Sequence, residues 1–289
     1  MKLLREFCKI LNITSFLPKL KVDIVSDLHI DHWSSIYNKK YPFGTRKEFP
    51  FHFNPTFNSS LLIIAGDICD NIEDSVTFLH YASHFYEKIL FVDGNHEHTH
   101  KYPYLYPKQN ISNMIDNKKV VYLSQNSYTI QDVAFVGSSG WWNYNNADPE
   151  TISKCTTYFN SWIPQFGKKE NIEFINNVLV RAKQDYEYLN TTIAKFEEDP
   201  IINKIIVVTH TVPKPELCSN FTFKCNSTAT QHNSKFQEFS KYKKISHWIY
   251  GHSHTNNDHY ENNIRYINNA RGRPDDYDRE TYKVKTIEI

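Results

Sequence analysis

Five short apolar runs, each closing on a small or polar cluster, constrain this chain more than any other feature. Residues 21–26 run into Asp27, and residues 61–65 run into Gly66 and Asp67. Residues 89–92 run into Asp93-Gly94-Asn95-His96, residues 205–208 into Thr209-His210, and residues 248–250 into Gly251-His252. Continuous runs of this length and composition read as strands covered on both faces. Open α/β sheets bind ligands beyond the carboxyl ends of their strands. The pattern therefore predicts one shared site at one sheet edge, built from Asp, His and Asn.

Helical spacing fills the intervals. Val76, Leu79, Phe85 and Ile89 mark a helix over 74–88. Apolar residues recur at three- and four-residue spacing from 168 to 198, and Asp199-Pro200 stops that helix. Residues 120–123 and 133–136 read as further strands, as do 264–267 and 282–289 in the tail. Two segments, 37–58 and 140–166, show no period. Both are rich in aromatic residues, with Trp141, Trp142 and Trp162 in the second, which argues for ordered loops rather than disorder. With no internal repeat and no Gly/Ser-rich linker, the expected organisation is an N-terminal arm or short helix over 1–20 and a single domain over 21–289.

Composition removes several function classes. A formal net charge of +1 gives no overall bias towards nucleic acid or an anionic membrane. The five cysteines, at 8, 69, 155, 218 and 225, include no Cys-x-x-Cys pair, which speaks against a disulfide framework or a structural zinc site. No apolar run is long enough to span a bilayer, and charges at Arg5, Glu6 and Lys9 interrupt the N-terminal stretch where a signal peptide needs an apolar core. The expected setting is cytoplasmic, with free thiols and no membrane contact. Nothing in the sequence indicates an oligomeric state.

The chemistry lies in five motifs at the ends of the runs: Asp27-Leu28-His29, Gly66-Asp67-Ile68-Cys69-Asp70, Gly94-Asn95-His96-Glu97, Thr209-His210, and Gly251-His252-Ser253-His254. Imidazole, carboxylate and amide oxygen suit manganese, iron or zinc, and no thiolate is offered. Asp-x-His at a strand end brings two ligands to one side, because residues i and i+2 point the same way.

In this order the motifs resemble the calcineurin-like metallophosphoesterase superfamily, over residues 22 to about 274. The resemblance implies an α/β fold, a four-layer α/β/β/α sandwich with two mixed β-sheets. It implies two divalent metal ions (Mn²⁺, Fe²⁺/Fe³⁺ or Zn²⁺): one held by Asp27, His29 and His254, the other by Asn95, His210 and His252, with Asp67 bridging. It makes His96 the group that protonates the leaving oxygen or steadies the phosphoryl group, and Asp70 the carboxylate that orients it. Two divalent ions, two carboxylates and a bridging hydroxide leave about one net positive charge, which favours an anionic phosphate and its transition state. The implied reaction is hydrolysis of a phosphomonoester or phosphodiester by in-line attack of the metal-bridging hydroxide, on a small-molecule or nucleotide substrate. Two other readings stand beside it. One is a nuclease of the same superfamily, drawing on Lys39, Lys40, Arg46 and Lys47, although nucleic acid is not the favoured partner. The other is a non-catalytic scaffold that reuses the fold.

Several neighbouring residues carry weaker expectations. Trp142 and Asn143 are candidates for contact with substrate, or else Trp141 and Trp142 pack the loop. Arg271, in an Asn-x-Arg-Gly turn similar to the superfamily's, either binds phosphate or ties down its loop. Glu97 is expected to cap or salt-bridge its turn. His98 and His100 are expected to be solvated, and His32 to be exposed, with contact to substrate as its alternative. Thr211 stands where many relatives carry a second His, so substrate contacts at that point differ.

Overall fold

The computed structural model describes residues 19–36, 59–162, 167–218, 227–276 and 282–289. The expected N-terminal arm, all but its last two residues, and the whole of segment 37–58 lie outside them. In chain order the described elements are β1 (Lys21–Val25), α1 (Ile30–Ile36), β2 (Leu61–Ala65), α2 (Ile72–Ala82), β3 (Lys88–Val92) and α3 (Lys108–Met114). Next come β4 (Val120–Tyr122), β5 (Asn126–Ile130), β6 (Val133–Ser138), α4 (Pro149–Trp162) and α5 (Lys168–Glu198). The chain closes with β7 (Lys204–Thr209), β8 (Ile245–Tyr250), β9 (Asn257–Glu261), β10 (Ile264–Asn268) and β11 (Lys285–Glu288).

The strands form two mixed sheets, ordered β11-β1-β2-β3-β4 and β5-β6-β7-β8-β10-β9. β1 to β4 run parallel and β11 pairs antiparallel with β1. In the second sheet β6, β7, β8 and β10 run parallel, with β5 and β9 as antiparallel edges. Each central strand is buried on both faces, which is why it reads as an unbroken apolar run. In β2, Leu61, Ile63 and Ala65 pack between the sheets against Phe135, Val208 and Ile249, while Leu62 and Ile64 pack outwards with Phe78 and Leu79 of α2. On the other side Leu189 and Ile193 of α5 cover Val136, Ile205 and Val207. The layers are therefore α/β/β/α, as the resemblance implies. No helix among the described residues is long and apolar enough to cross a membrane.

Three local expectations need correction. The helix expected over 74–88 spans Ile72–Ala82, because the Asn71 side chain accepts the Asp74 N–H and starts it early. It ends at Ala82, where the Ser83 N–H caps Leu79 O, and Glu87 and Lys88 then bond to Ser60 O to open β3, so Ile89 belongs to a strand. Segment 140–166 contains α4; its start is marked by Asp148, which accepts the Thr151 N–H, and by Pro149 at the first helical position. Third, β5 and β9 form polar edges that no apolar pattern marks. β9 turns into β10 through Asn262 and Asn263, both at positive φ, the backbone that a tight hairpin requires.

The two sheets meet at the edge that matters. Ser26, just past β1, bridges in parallel to Ala270, just past β10. Its N–H donates to Asn269 O, and its carbonyl accepts the Arg271 N–H.

Candidate metal centre

The carboxyl ends of β1, β2, β3, β7 and β8 converge where the sheets are joined. Asp27 (φ 49), His29 (φ 42), Asp67 (φ 56), His252 (φ 68) and His254 (φ 49) all leave their strands in the left-handed region. Asp and His are among the few non-glycine residues enriched there. The structure brings together all seven residues expected as ligands. Asp27, His29, Asp67 and His254 offer ligand atoms within 4.8 Å of one another, as do Asp67, His210 and His252. Asn95 Oδ1 lies 3.1 Å from His210 Nε2.

Hydrogen bonds on the far side of the rings fix their tautomers. His210 Nδ1 donates to Ala65 O at 2.8 Å, and His252 Nε2 donates to Thr230 O at 2.9 Å. His254 Nδ1 donates to the Asp276 carboxylate at 2.8 Å. When neutral, these rings turn bare lone pairs inwards. His210 Nε2 faces His252 Nδ1 at 3.1 Å and Asp67 Oδ2 at 3.2 Å. His254 Nε2 faces His29 Nε2 at 3.0 Å. Asp27 Oδ1 and Asp67 Oδ1 accept the N–H groups of His252 and His96. Their other oxygens are buried and accept no hydrogen bond. A knot of buried lone pairs with so few hydrogens among them can hold cations, and this donor set suits divalent metal.

The protein's own charges show the same demand. Burial pulls the His210 imidazole down, but Asp67 beside it more than reverses this and lifts it to about 10. Burial takes His252 down to about 3, helped by His210. Burial drives His29 well below its usual range, with His96 and His254 adding to it. Asp67, against its own burial, is held well below the usual carboxylate range by His210 and His96. Without metal, the Asp67 carboxylate favours the protonated form of the His210 ring beside it.

Glu97 supports the floor of the centre, beyond the cap or salt bridge expected of it. It is fully buried. Oε2 accepts the N–H of Asp67 (3.0 Å) and Gly94 (2.7 Å), and Oε1 accepts Ile68 N–H (2.6 Å) and Ser75 Oγ–H (2.9 Å). One carboxylate thus ties the β2 motif to the β3 motif. Glycine is needed where these motifs touch. Gly66 has φ +82, and a Cβ there would lie 2.6 Å from His210 Nδ1. A Cβ on Gly94 would lie 2.1 Å from Asp67 Oδ1 and 2.7 Å from Asp67 N. Gly94→Ala is therefore expected to displace Asp67, costing about 1–3 kcal/mol of stability and lowering metal occupancy; melting temperature and metal content per chain would show both.

His96 Nδ1 lies 2.6 Å from Asp70 Oδ1, and His32 Nε2 lies 2.9 Å from Asp70 Oδ2. His32 is thus half-buried and paired, not simply exposed, because α1 carries it back over the β2 motif. Burial pushes Asp70 up, but the two histidines hold it well below the usual range. His98 is not solvated either. It is fully buried, donates from Nε2 to Asp93 at 2.7 Å, and accepts Tyr106 N–H at Nδ1. His100, by contrast, is exposed. Trp142 is buried with its ring stacked on His252, centroids 5.5 Å apart. Asn143 accepts the N–H groups of Asn146 and Ser234. Arg271 is buried, its guanidinium 4.0 Å over the Trp33 ring. Thr211 bonds to Gly140 O.

Sequence reasoning missed two residues here. Asp276 orients His254, and Arg273 Nη2 donates to His96 Nε2 at 2.9 Å. Neither sits in a recognisable motif; the Arg-Gly-Arg-Pro-Asp-Asp stretch after Ala270 was the available signal.

The chain resembles known proteins over most of its length. The sequence pattern of the calcineurin-like phosphoesterases matches residues 20–256. An uncharacterized protein of Acanthamoeba polyphaga mimivirus is 26% identical over 266 residues, 86% of this chain and 89% of its own. Among solved structures, a phosphopantetheinyl hydrolase from Mycobacterium tuberculosis aligns with TM-score 0.64 at 17% identity, over 94% of this chain and 96% of its own. A dimetal phosphatase from Danio rerio aligns with TM-score 0.50 at 10% identity, over 87% of each chain. At such identities the two structures speak for the fold alone. The sequence match spans the motifs from Asp27 to His254, and on that ground the chain belongs to the calcineurin-like phosphoesterase family.

Proposed function

We propose that this protein hydrolyses a phosphomonoester or phosphodiester, carried on a small molecule or nucleotide, with two divalent metal ions. Asp27, His29 and His254 would hold one ion, Asn95, His210 and His252 the other, and Asp67 both. The observation that carries this reading is the set of inward lone pairs joined by two buried carboxylate oxygens that accept no hydrogen bond. When bound, the ions supply positive charge for the phosphoryl transition state and make water acidic enough to attack at neutral pH. The chain's own residues do the rest. Asp67 and Asp27 are fixed by backbone N–H groups, so the pocket is preorganised and needs little rearrangement. His96 is held by Asp70 through Nδ1; once its Nε2 is released from Arg273 and takes up a proton, it can give that proton to the departing oxygen. Asp70, anchored by two imidazoles, stabilises the charge on that ring. The basic cluster that a nuclease reading needs, Lys39 to Lys47, lies outside the described residues. The scaffold reading has no missing ligand position to support it.

The test is hydrolysis of p-nitrophenyl phosphate and bis(p-nitrophenyl) phosphate by metal-stripped protein, with and without Mn²⁺. Restored turnover with two ions bound per chain is expected. Tight binding of two ions with no turnover on either ester would favour the scaffold instead. His96→Ala is expected to keep both ions and lose about 10²–10⁴ in kcat. Full turnover in that variant would remove His96 from the mechanism.

A further inference from the structure

We infer that Arg273 forms a phosphate-binding fork that makes the site selective for phosphomonoesters over phosphodiesters; this rests on the phosphoesterase reading above. Arg273 follows the point where the sheets are joined, and its backbone is fixed to the centre itself. The preceding Gly272 N–H donates to Asp27 O at 2.8 Å. The Arg273 N–H donates to Asp276 Oδ2 at 2.7 Å, the oxygen that also orients His254. The side chain is half-buried, and Nη2 donates to His96 Nε2 at 2.9 Å. Its Nε–H is buried without a hydrogen-bond partner, and among the described residues no carboxylate pairs with the guanidinium.

An arginine in this state is incomplete. Guanidinium carries five N–H donors in a planar fork suited to two oxygens of one anion, and burying one of its donors unmatched is costly. Resting on His96 Nε2, it occupies the very nitrogen assigned to the leaving oxygen. An arriving phosphoryl group resolves both conditions. Its oxygens take the Nε–H and an Nη–H, the bond to His96 is released, and Nε2, freed to take up a proton from water, can pass that proton to the leaving group. Oxygen count sets the selectivity. A monoester has three oxygens not bonded to carbon; with one turned to the pocket of Asp27 and Asp67, two remain for the fork. A diester has two, and offers the fork only one. The monoester also brings the larger negative charge.

The experiment uses the full, Mn²⁺-loaded chain. Binding of inorganic phosphate is measured by titration calorimetry, and kcat/KM is measured on both nitrophenyl esters, for wild type, Arg273→Ala and Arg273→Lys. Arg273→Ala is expected to keep both metal ions and weaken phosphate binding at least about tenfold. It should cut kcat/KM for the monoester about 100-fold and for the diester by less than about threefold. Arg273→Lys, which keeps the charge and loses the fork, should recover the monoester reaction only in part. Equal losses on both esters with phosphate binding unchanged would reduce Arg273 to a support for His96 and overturn the proposal. Unchanged kinetics in Arg273→Ala would overturn it as well. If wild type turned over neither ester, the phosphoesterase reading would fall by itself. The calorimetric comparison would still decide the fork: weaker phosphate binding in Arg273→Ala supports it, and no binding by wild type or equal binding by both overturns it.

Discussion

Asp67→Asn is expected to abolish turnover, by a factor on the order of 10⁴, while the protein stays folded. Asp67 Oδ1 is committed to the His96 N–H, and only Oδ2 faces both histidine groups. An amide that keeps the first bond must turn its NH₂ inwards. That NH₂ donates to the bare Nε2 of His210 and puts hydrogens where a cation belongs. Removing one partner of the buried Asp67–His210 pair also costs stability, so the metal-free variant should melt lower than wild type while still folding. Metal content per chain is expected to fall below two. A variant that holds two ions and keeps more than about a tenth of the wild-type rate would show that Asp67 does not bridge.

Glu97→Gln carries the largest expected loss of stability. Burial and the Asp67 carboxylate push Glu97 up to about 8. Against this stand three N–H donors and the Ser75 hydroxyl, two on each oxygen. Cations held on Asp67 would cancel that repulsion and favour an ionised Glu97 in the loaded protein. Glutamine matches its shape, but one end becomes a donor facing donors. If the NH₂ meets Asp67 N–H and Gly94 N–H, the tie between the β2 and β3 motifs is replaced by a clash of hydrogens. A loss of about 3 kcal/mol is expected, seen as a fall in melting temperature of roughly 5–10 °C, with weaker metal binding. Glu97→Gln with unchanged melting and metal affinity would mean that Glu97 is a neutral acid donating to Ser75 Oγ.

The strands that hold the candidate site were legible because both faces are covered. β2 has no exposed residue, so its sequence shows no alternation and reads as a run. α5 was legible for the opposite reason, since only one side of it is covered. β9 was not, because it is an exposed edge of charged and polar residues, and its pairing is set by the Asn262-Asn263 turn rather than by burial. The candidate ligands could be read as a set because each short motif carries two or three of the converging groups. Arg273 could not, because it meets His96 across 177 residues and only through the way the sheets are joined. Glu97 sat in plain view, yet its role depends on amides of another strand end.

The left-handed backbone at five strand-end residues has a consequence for anyone engineering this protein. Each such residue carries roughly 1 kcal/mol of conformational cost, and Asp27, His29 and Asp67 each also bury one polar atom without a hydrogen bond. Glycine at Asp27 would relieve the backbone and remove a buried charge together. A library selected only for soluble yield or thermal tolerance, in medium without metal, will therefore enrich such changes and discard the chemistry first. Screens that supply the ion throughout would reverse that pressure, because binding to the folded chain alone adds to its stability.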